Sequence, residues 1–426
     1  MLNADGFGKG GCRTRRWCGA RVMIGGASSP ARGHSTGRLI AAVLLTALLS
    51  AAITAAAFYF YLDRLVSEIT GLEGFTNFMR VYRLIQDEYV EEVDGGVLMQ
   101  GAAAGMVEAL GDPYSHFMGA EAWEEMKIHT SGHYEGVGIQ VVERDGYVVI
   151  VAPIKGTPGA EAGFRPGDKI VAVDGKDIVG LPVDQVVRLI RGPAGTEVTL
   201  TVLRGEEQLD ITVVRAAIDV PTVEHRMMDE AVGYLAITQF NEQTDEEVPA
   251  AVEELREAGM RGLILDLRYN PGGLLDEALR VAEFFLPPGP IVHVVDGEGN
   301  ERTYSSSTPG VDFPIVVLVN EGSASASEIL AGALRDRGLA VLVGTTTFGK
   351  GSVQKLHRLP DGSGVRLTTA KWFTPLKHPI DEEGLAPDVV VEAGEGTEFP
   401  GHAATDPARD PQLRKAIEVL REKLGL

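Results

Sequence analysis

Apolar residues follow several distinct rhythms along this chain. Residues 39–62 run for 24 positions without a charged side chain. As a helix, such a run spans about 36 Å, enough to cross a hydrocarbon layer of about 30 Å. Over residues 64–130 the rhythm becomes helical. Phe78, Val81, Tyr82, Leu84 and Ile85 recur at helical spacing, residues 97–110 repeat the pattern, and Gly111-Asp112-Pro113 breaks it. Residues 131–218 show strand-like alternation at 146–152, 169–173 and 197–204. Between the last two, Val183, Val186, Val187 and Ile190 form a helical stripe after Pro182. Residues 219–395 interleave apolar strands (234–240, 263–267, 315–319, 340–344) with amphipathic helices (246–258, 276–284, 327–337). That order predicts an α/β core with a mostly parallel sheet. Residues 396–426 read as a linker followed by a terminal amphipathic helix over 411–424.

A chain of 426 residues is too long for one core and implies two or three domains. Its net charge of −21 is unevenly spread. Residues 1–38 carry seven basic side chains against the single acid Asp5, which leaves −27 on the remainder. An acidic body repels phosphates and argues against a nucleic-acid partner. The basic tail before the apolar run predicts a cytoplasmic N-terminus and an exported body on the extracytoplasmic side. A cleaved signal peptide is the alternative, but the run exceeds the usual ~7–15 residue core, and its length favours an uncleaved anchor. Arg15-Arg16 lies too far upstream to read as an export signal. Cys12 and Cys18 both fall in the tail, so the exported part has neither disulfides nor a thiol nucleophile.

Two short segments carry candidate chemistry. Gly322-Ser323-Ala324-Ser325-Ala326-Ser327-Glu328-Ile329 places serines among small residues at a helix start, where free N–H groups can hold a developing oxyanion. Ser325 with Glu328 is also a capping box, a purely structural reading. Phe348-Gly349-Lys350-Gly351-Ser352-Val353-Gln354 sets Lys350 in a glycine-flanked loop. A lysine becomes a general base only if burial lowers its pKa toward neutrality. Without that burial it is a solvated loop residue. His116 is expected to be a turn residue packing the helical region on the core. His-Glu-x-x-His and Gly-x-Ser-x-Gly are both absent, which removes the sequence support for a metalloprotease or a serine–histidine hydrolase.

With these two segments stand Asp112-Pro113-Tyr114-Ser115-His116-Phe117, Tyr134-Glu135-Gly136-Val137-Gly138-Ile139, Arg191-Gly192-Pro193-Ala194-Gly195-Thr196, Asp266-Leu267-Arg268-Tyr269-Asn270-Pro271-Gly272-Gly273 and Gly384-Leu385-Ala386-Pro387-Asp388. In this order and spacing, across residues 75–391, they resemble the C-terminal processing peptidases, or tail-specific proteases. One departure is Thr374-Pro375-Leu376-Lys377-His378-Pro379, where the family often has Thr-Pro-x-Gly-Arg.

The resemblance implies a crotonase/ClpP-like α/β catalytic core over 219–395, a PDZ domain over 131–218 and a serine endopeptidase using a Ser–Lys dyad. It implies Ser325 as nucleophile, with Lys350, 25 positions later, as base and Gln354 orienting it. The oxyanion would be held by an N–H of Gly272 or Gly273 and by that of Ala326. Gly136, Val137, Gly138 and Ile139 match the PDZ loop that receives a chain-terminal carboxylate, and Arg165 is a candidate for coupling PDZ occupancy to the active site. The implied partners are proteins or peptides with exposed apolar C-termini, and the membrane through one helix; a homo-oligomer stays open. No metal or other cofactor is implied. The non-enzymatic alternative is a membrane-tethered PDZ scaffold.

Overall fold

The computed structural model describes residues 36–70, 74–394 and 406–426. Cys12, Cys18, most of the basic tail and most of the expected linker lie outside the described residues. The chain divides into two units, residues 1–94 and 95–426. In the first, a helix runs Thr36–Thr70 and a second runs Phe75–Glu88. Within the long helix, Ile40–Leu62 is long and apolar enough to cross a membrane, judged by length and composition alone. Ile40, Leu48 and Phe60 on it are exposed.

The second unit begins with helix Gly95–Glu108, strand His116–Met118 and helix Ala120–Ser131. His116 is therefore a strand residue, paired with Arg366, rather than a turn residue. A two-stranded ribbon follows, His133–Gly136 against Ala216–Asp219. It brings the entry and exit of the intervening segment together, so that segment folds as an insertion. The insertion is an antiparallel sheet ordered Ile139–Arg144, Tyr147–Pro153, Lys169–Val173, Glu197–Arg204, Glu207–Val214. Ile150, Ile170, Leu200 and Val202 are fully buried in it, with Val186 of helix Val183–Ile190 packed on top. The alternating apolar positions of these strands all point to that one face.

The core sheet has the order Val223–Met227, Val232–Ile237, Gly262–Asp266, Ile315–Val319, Ala340–Gly344, Val389–Val390. Only the first pairing is antiparallel; the rest are parallel. A parallel sheet covered on both faces needs strands apolar on both sides, and Ile315–Val319 is buried at every position. Leu235, Leu265 and Val317 face helices Thr244–Glu257, Leu275–Phe285 and Ala326–Asp336. Tyr234, Ile264 and Val316 face the opposite way, onto Leu413, Ala416 and Leu420 of helix Pro411–Leu424. The terminal helix is thus the second cover of the sheet, not an appendage.

Arg268 locks that cover in place. It is 6 % exposed, pairs with Asp266 at 2.7 Å and Asp410 at 2.9 Å, and donates to Gln412. A second, antiparallel sheet joins His116–Met118, Gly364–Phe373, Gly289–Asp296 and Glu301–Ser306, with Ser352–Arg358 also on Gly364–Phe373. Apart from the turn reading of His116, these strands had no sequence prediction.

Candidate active site

Three neighbouring parallel strands end at the site. Gly262–Asp266 leads into the Asn270-Pro271-Gly272-Gly273 turn, Ile315–Val319 into the serine segment, and Ala340–Gly344 into the lysine loop. In an open α/β sheet the carboxyl ends of the strands are where loops can converge on a ligand. Here they converge on a cavity of about 700 Å³ lined by Ser325, Ala326, Gly272, Gly273, Lys350 and Gln354. Phe240, Leu275, Ile329 and Met126 give it apolar walls, and His116 and Arg366 add polar ones.

Of the three serines, only Ser325 lines the cavity. Ser323 and Ser327 are fully buried, and their hydroxyls donate to the carbonyls of Leu267 (2.7 Å) and Asn270 (3.0 Å). Ser325 has φ 54° and ψ −113°, a strained backbone for a residue with a Cβ. Such strain needs a surrounding network to hold it. Asn270, fully buried, donates from Nδ2 to Ile237 O and accepts Gly272 N–H at Oδ1 (2.9 Å), while its carbonyl accepts Ala324 N–H (3.0 Å). Gly272, at φ 98°, comes so close that a Cβ there would sit 2.8 Å from Ser325 Cβ. The N–H groups of Gly273 and Ala326 make no hydrogen bond among the described residues, whereas that of Gly272 is committed to Asn270.

Glu328 ties the serine to the lysine loop. It is fully buried, and its carboxylate accepts Ser325 N–H (2.7 Å), Thr347 Oγ1–H (2.5 Å), Gly349 N–H (2.7 Å) and Lys350 N–H (3.0 Å). Burial pushes its pKa up, against the pull of those donors. The capping contact visible in the sequence is therefore one strand of a larger network that sequence reasoning missed. On the far side, Trp372 Nε1–H donates to Lys350 O at 3.0 Å.

The backbone of Lys350 is thus held from both sides while its side chain reaches into the cavity. Burial lowers its pKa, Arg366 lowers it further, and Asp112 and Glu328 oppose the change. Its ammonium makes no hydrogen bond among the described residues, to Ser325 or otherwise. It lies 4.7 Å from the centroid of the Tyr114 ring. Gln354 sits on strand Ser352–Arg358 and donates to Ser352 Oγ (2.9 Å) and Thr368 Oγ1 (3.2 Å), not to Lys350.

Gly136 ends the ribbon strand and Val137, Gly138 and Ile139 open the inserted domain, all outside the cavity. Gly138 O accepts from Ile154 N–H and Thr157 Oγ1, and Val137 O accepts from Gly159 N–H, so the loop is fastened from behind. Ile139–Arg144 is an edge strand beside helix Val183–Ile190, with one side unpaired among the described residues. Arg165 is exposed on a turn of that domain, where its N–H donates to Asp168. Among the described residues, no group of three or more His, Cys, Asp or Glu side chains is placed to hold a metal ion.

Residues 231–391 match the model of peptidase family S41, residues 149–204 that of a PDZ domain, and residues 62–122 that of the activating protease CtpB N-terminal domain. The carboxy-terminal processing protease CtpA of Bacillus subtilis (strain 168) is 39 % identical over 337 residues, 78 % of this chain and 72 % of that protein. A probable CtpA-like serine protease of Staphylococcus aureus (strain COL) is 37 % identical over 83 % of this chain and 72 % of its own length. Among solved structures, a photosystem II D1 C-terminal processing protease aligns with a TM-score of 0.45 at 30 % identity, covering 74 % of this chain and 92 % of that one. With this identity over this length, the chain belongs to the S41 family of carboxy-terminal processing proteases and is a serine-type peptidase carrying a PDZ domain.

Proposed function

We propose that the chain is a membrane-anchored endopeptidase that receives a substrate's C-terminus on its PDZ domain and cleaves the chain at Ser325 with Lys350 as base. The observation that carries this reading is the delivery of the glycine turn, Ser325 and Lys350 to one cavity by three adjacent parallel strands. The free amine of Lys350 takes the Ser325 hydroxyl proton as Oγ attacks the scissile carbonyl. The N–H groups of Gly273 and Ala326 stabilise the oxyanion. Lys350 then passes the proton to the leaving amine, the C–N bond breaks, and an ester remains on Ser325. Water, deprotonated by Lys350, attacks the ester, and the proton returns to Ser325 as the acid product leaves. Gln354 is neutral, so it can orient the amine without holding it charged as a carboxylate would.

The open edge of Ile139–Arg144 supports substrate capture by strand addition, with the 136–139 loop at the carboxylate end. The 24-residue apolar run after a tail of net charge +6 supports an anchor with the tail inside and the protease outside. The test is hydrolysis of a peptide with an apolar free C-terminus, compared with its C-terminal amide. Faster cleavage of the acid, lost in Ser325→Ala, supports the reading; binding without turnover by the unmodified chain would leave only a scaffold.

A further inference from the structure

The mechanism above leaves the aromatic ring against Lys350 unexplained. Tyr114 comes from a turn far away in sequence, yet it is fixed as firmly as the lysine's own backbone. Its N–H donates to Asp112 Oδ1 (3.0 Å), and its carbonyl accepts Arg366 Nε–H (3.0 Å). Next to it, Ser115 Oγ donates to Asp112 (2.5 Å) and accepts Thr368 N–H (3.0 Å). Strand His116–Met118 then pairs with Gly364–Phe373. With both backbones pinned, the Lys350 side chain is the part free to move. The Tyr114 ring attracts only the charged form, while the hydroxyl of Ser325, which lines the same cavity as Lys350, suits the free amine.

We propose that Tyr114 is a positioning residue for the reaction, its ring face holding protonated Lys350 away from Ser325 until the lysine, as free amine, turns to the serine hydroxyl. This rests on the reading of Lys350 as the base. A ring placed this way opposes the effect of burial, because it stabilises the ammonium that burial disfavours. The other charges facing the lysine are Arg366 on Gly364–Phe373, Asp112 in the turn and Glu328 on Ala326–Asp336. Burial pushes the Tyr114 phenol's pKa up, and the charges of Asp381, Glu328, Asp112 and Glu382 push it the same way, so the ring is neutral at working pH.

The test is the acid limb of kcat/KM against pH for the full chain. Tyr114→Leu removes the ring but keeps the site apolar. Its midpoint should fall by about half a unit to one and a half units, the size of one cation–π contact. Tyr114→Phe keeps the ring face and should keep the unmodified midpoint. Fluorinated phenylalanines at 114 preserve shape while draining the ring face, and should lower the midpoint step by step even if the leucine variant does not fold. An unchanged or raised midpoint across the fluorinated series overturns the proposal, as does loss of activity in Tyr114→Phe. Lys350→Ala separates the two claims. Turnover in that variant removes the base itself, whereas an inactive Lys350→Ala beside an unmoved midpoint removes only the role of Tyr114.

Discussion

Ser325 sits in a backbone conformation that costs energy, next to the Gly273 and Ala326 N–H groups, which have no partner among the described residues, and the proposed chemistry gives that cost a use. Ser325→Ala should lower kcat by at least about a thousandfold while leaving the thermal midpoint and peptide binding near those of the unmodified chain, measured by peptide hydrolysis and calorimetry. A large stability loss would mean that the hydroxyl serves mainly as a helix cap. Lys350 carries a stability signature as well. Its pKa is lowered on folding, so the unfolded chain binds more protons between the folded value and the ordinary lysine value of 10.5. Stability contributed at this position therefore rises with pH across that window, and the full penalty applies below it. Lys350→Met should raise the thermal midpoint near neutral pH, and the gain should fade as pH approaches 10.5. Ser325, Lys350 and the glycine turn were legible because each lies in a compact run of small residues. Asn270, Glu328 and Tyr114 were not, because their partners are distant in sequence: Glu328 reads as a local cap until the fold brings residues 347–350 onto its carboxylate.

Elements follow the same division. The parallel strands of the core were visible as continuous apolar runs, and 315–319 and 340–344 were placed to the residue. The second sheet was invisible because its strands are half exposed and mixed in composition. Glu301–Ser306 has one buried position and Ser352–Arg358 one, so neither shows a clear period of two. The terminal helix was visible by its amphipathic pattern, but its docking was not, since that depends on Arg268 meeting Asp410 across 142 positions. Arg268→Ala strands two buried carboxylates and should cost about 3–5 kcal/mol in denaturant unfolding. Arg268→Met with Asp266→Asn and Asp410→Asn should recover much of that loss. A loss under about 1 kcal/mol for Arg268→Ala would show the helix to be held by its apolar face alone.

At the scale of the whole molecule, an inserted domain on a two-stranded ribbon suggests that recognition and cleavage are separable. Joining Gly136 to Ala216, paired across the ribbon, through a two-residue Asn-Gly turn should leave a chain that still cleaves short peptides but no longer prefers a free carboxyl terminus over an amide. Retained preference would move carboxylate recognition into the core. Acylation of Ser325 through proton removal by Lys350 is tested by reaction with a fluorophosphonate followed by peptide mass mapping. One adduct is expected, on the peptide holding Ser325, formed faster as pH rises and nearly abolished in Lys350→Arg, whose guanidinium keeps its proton. An adduct on another residue, or labelling of Lys350→Arg at the unmodified rate, would contradict it.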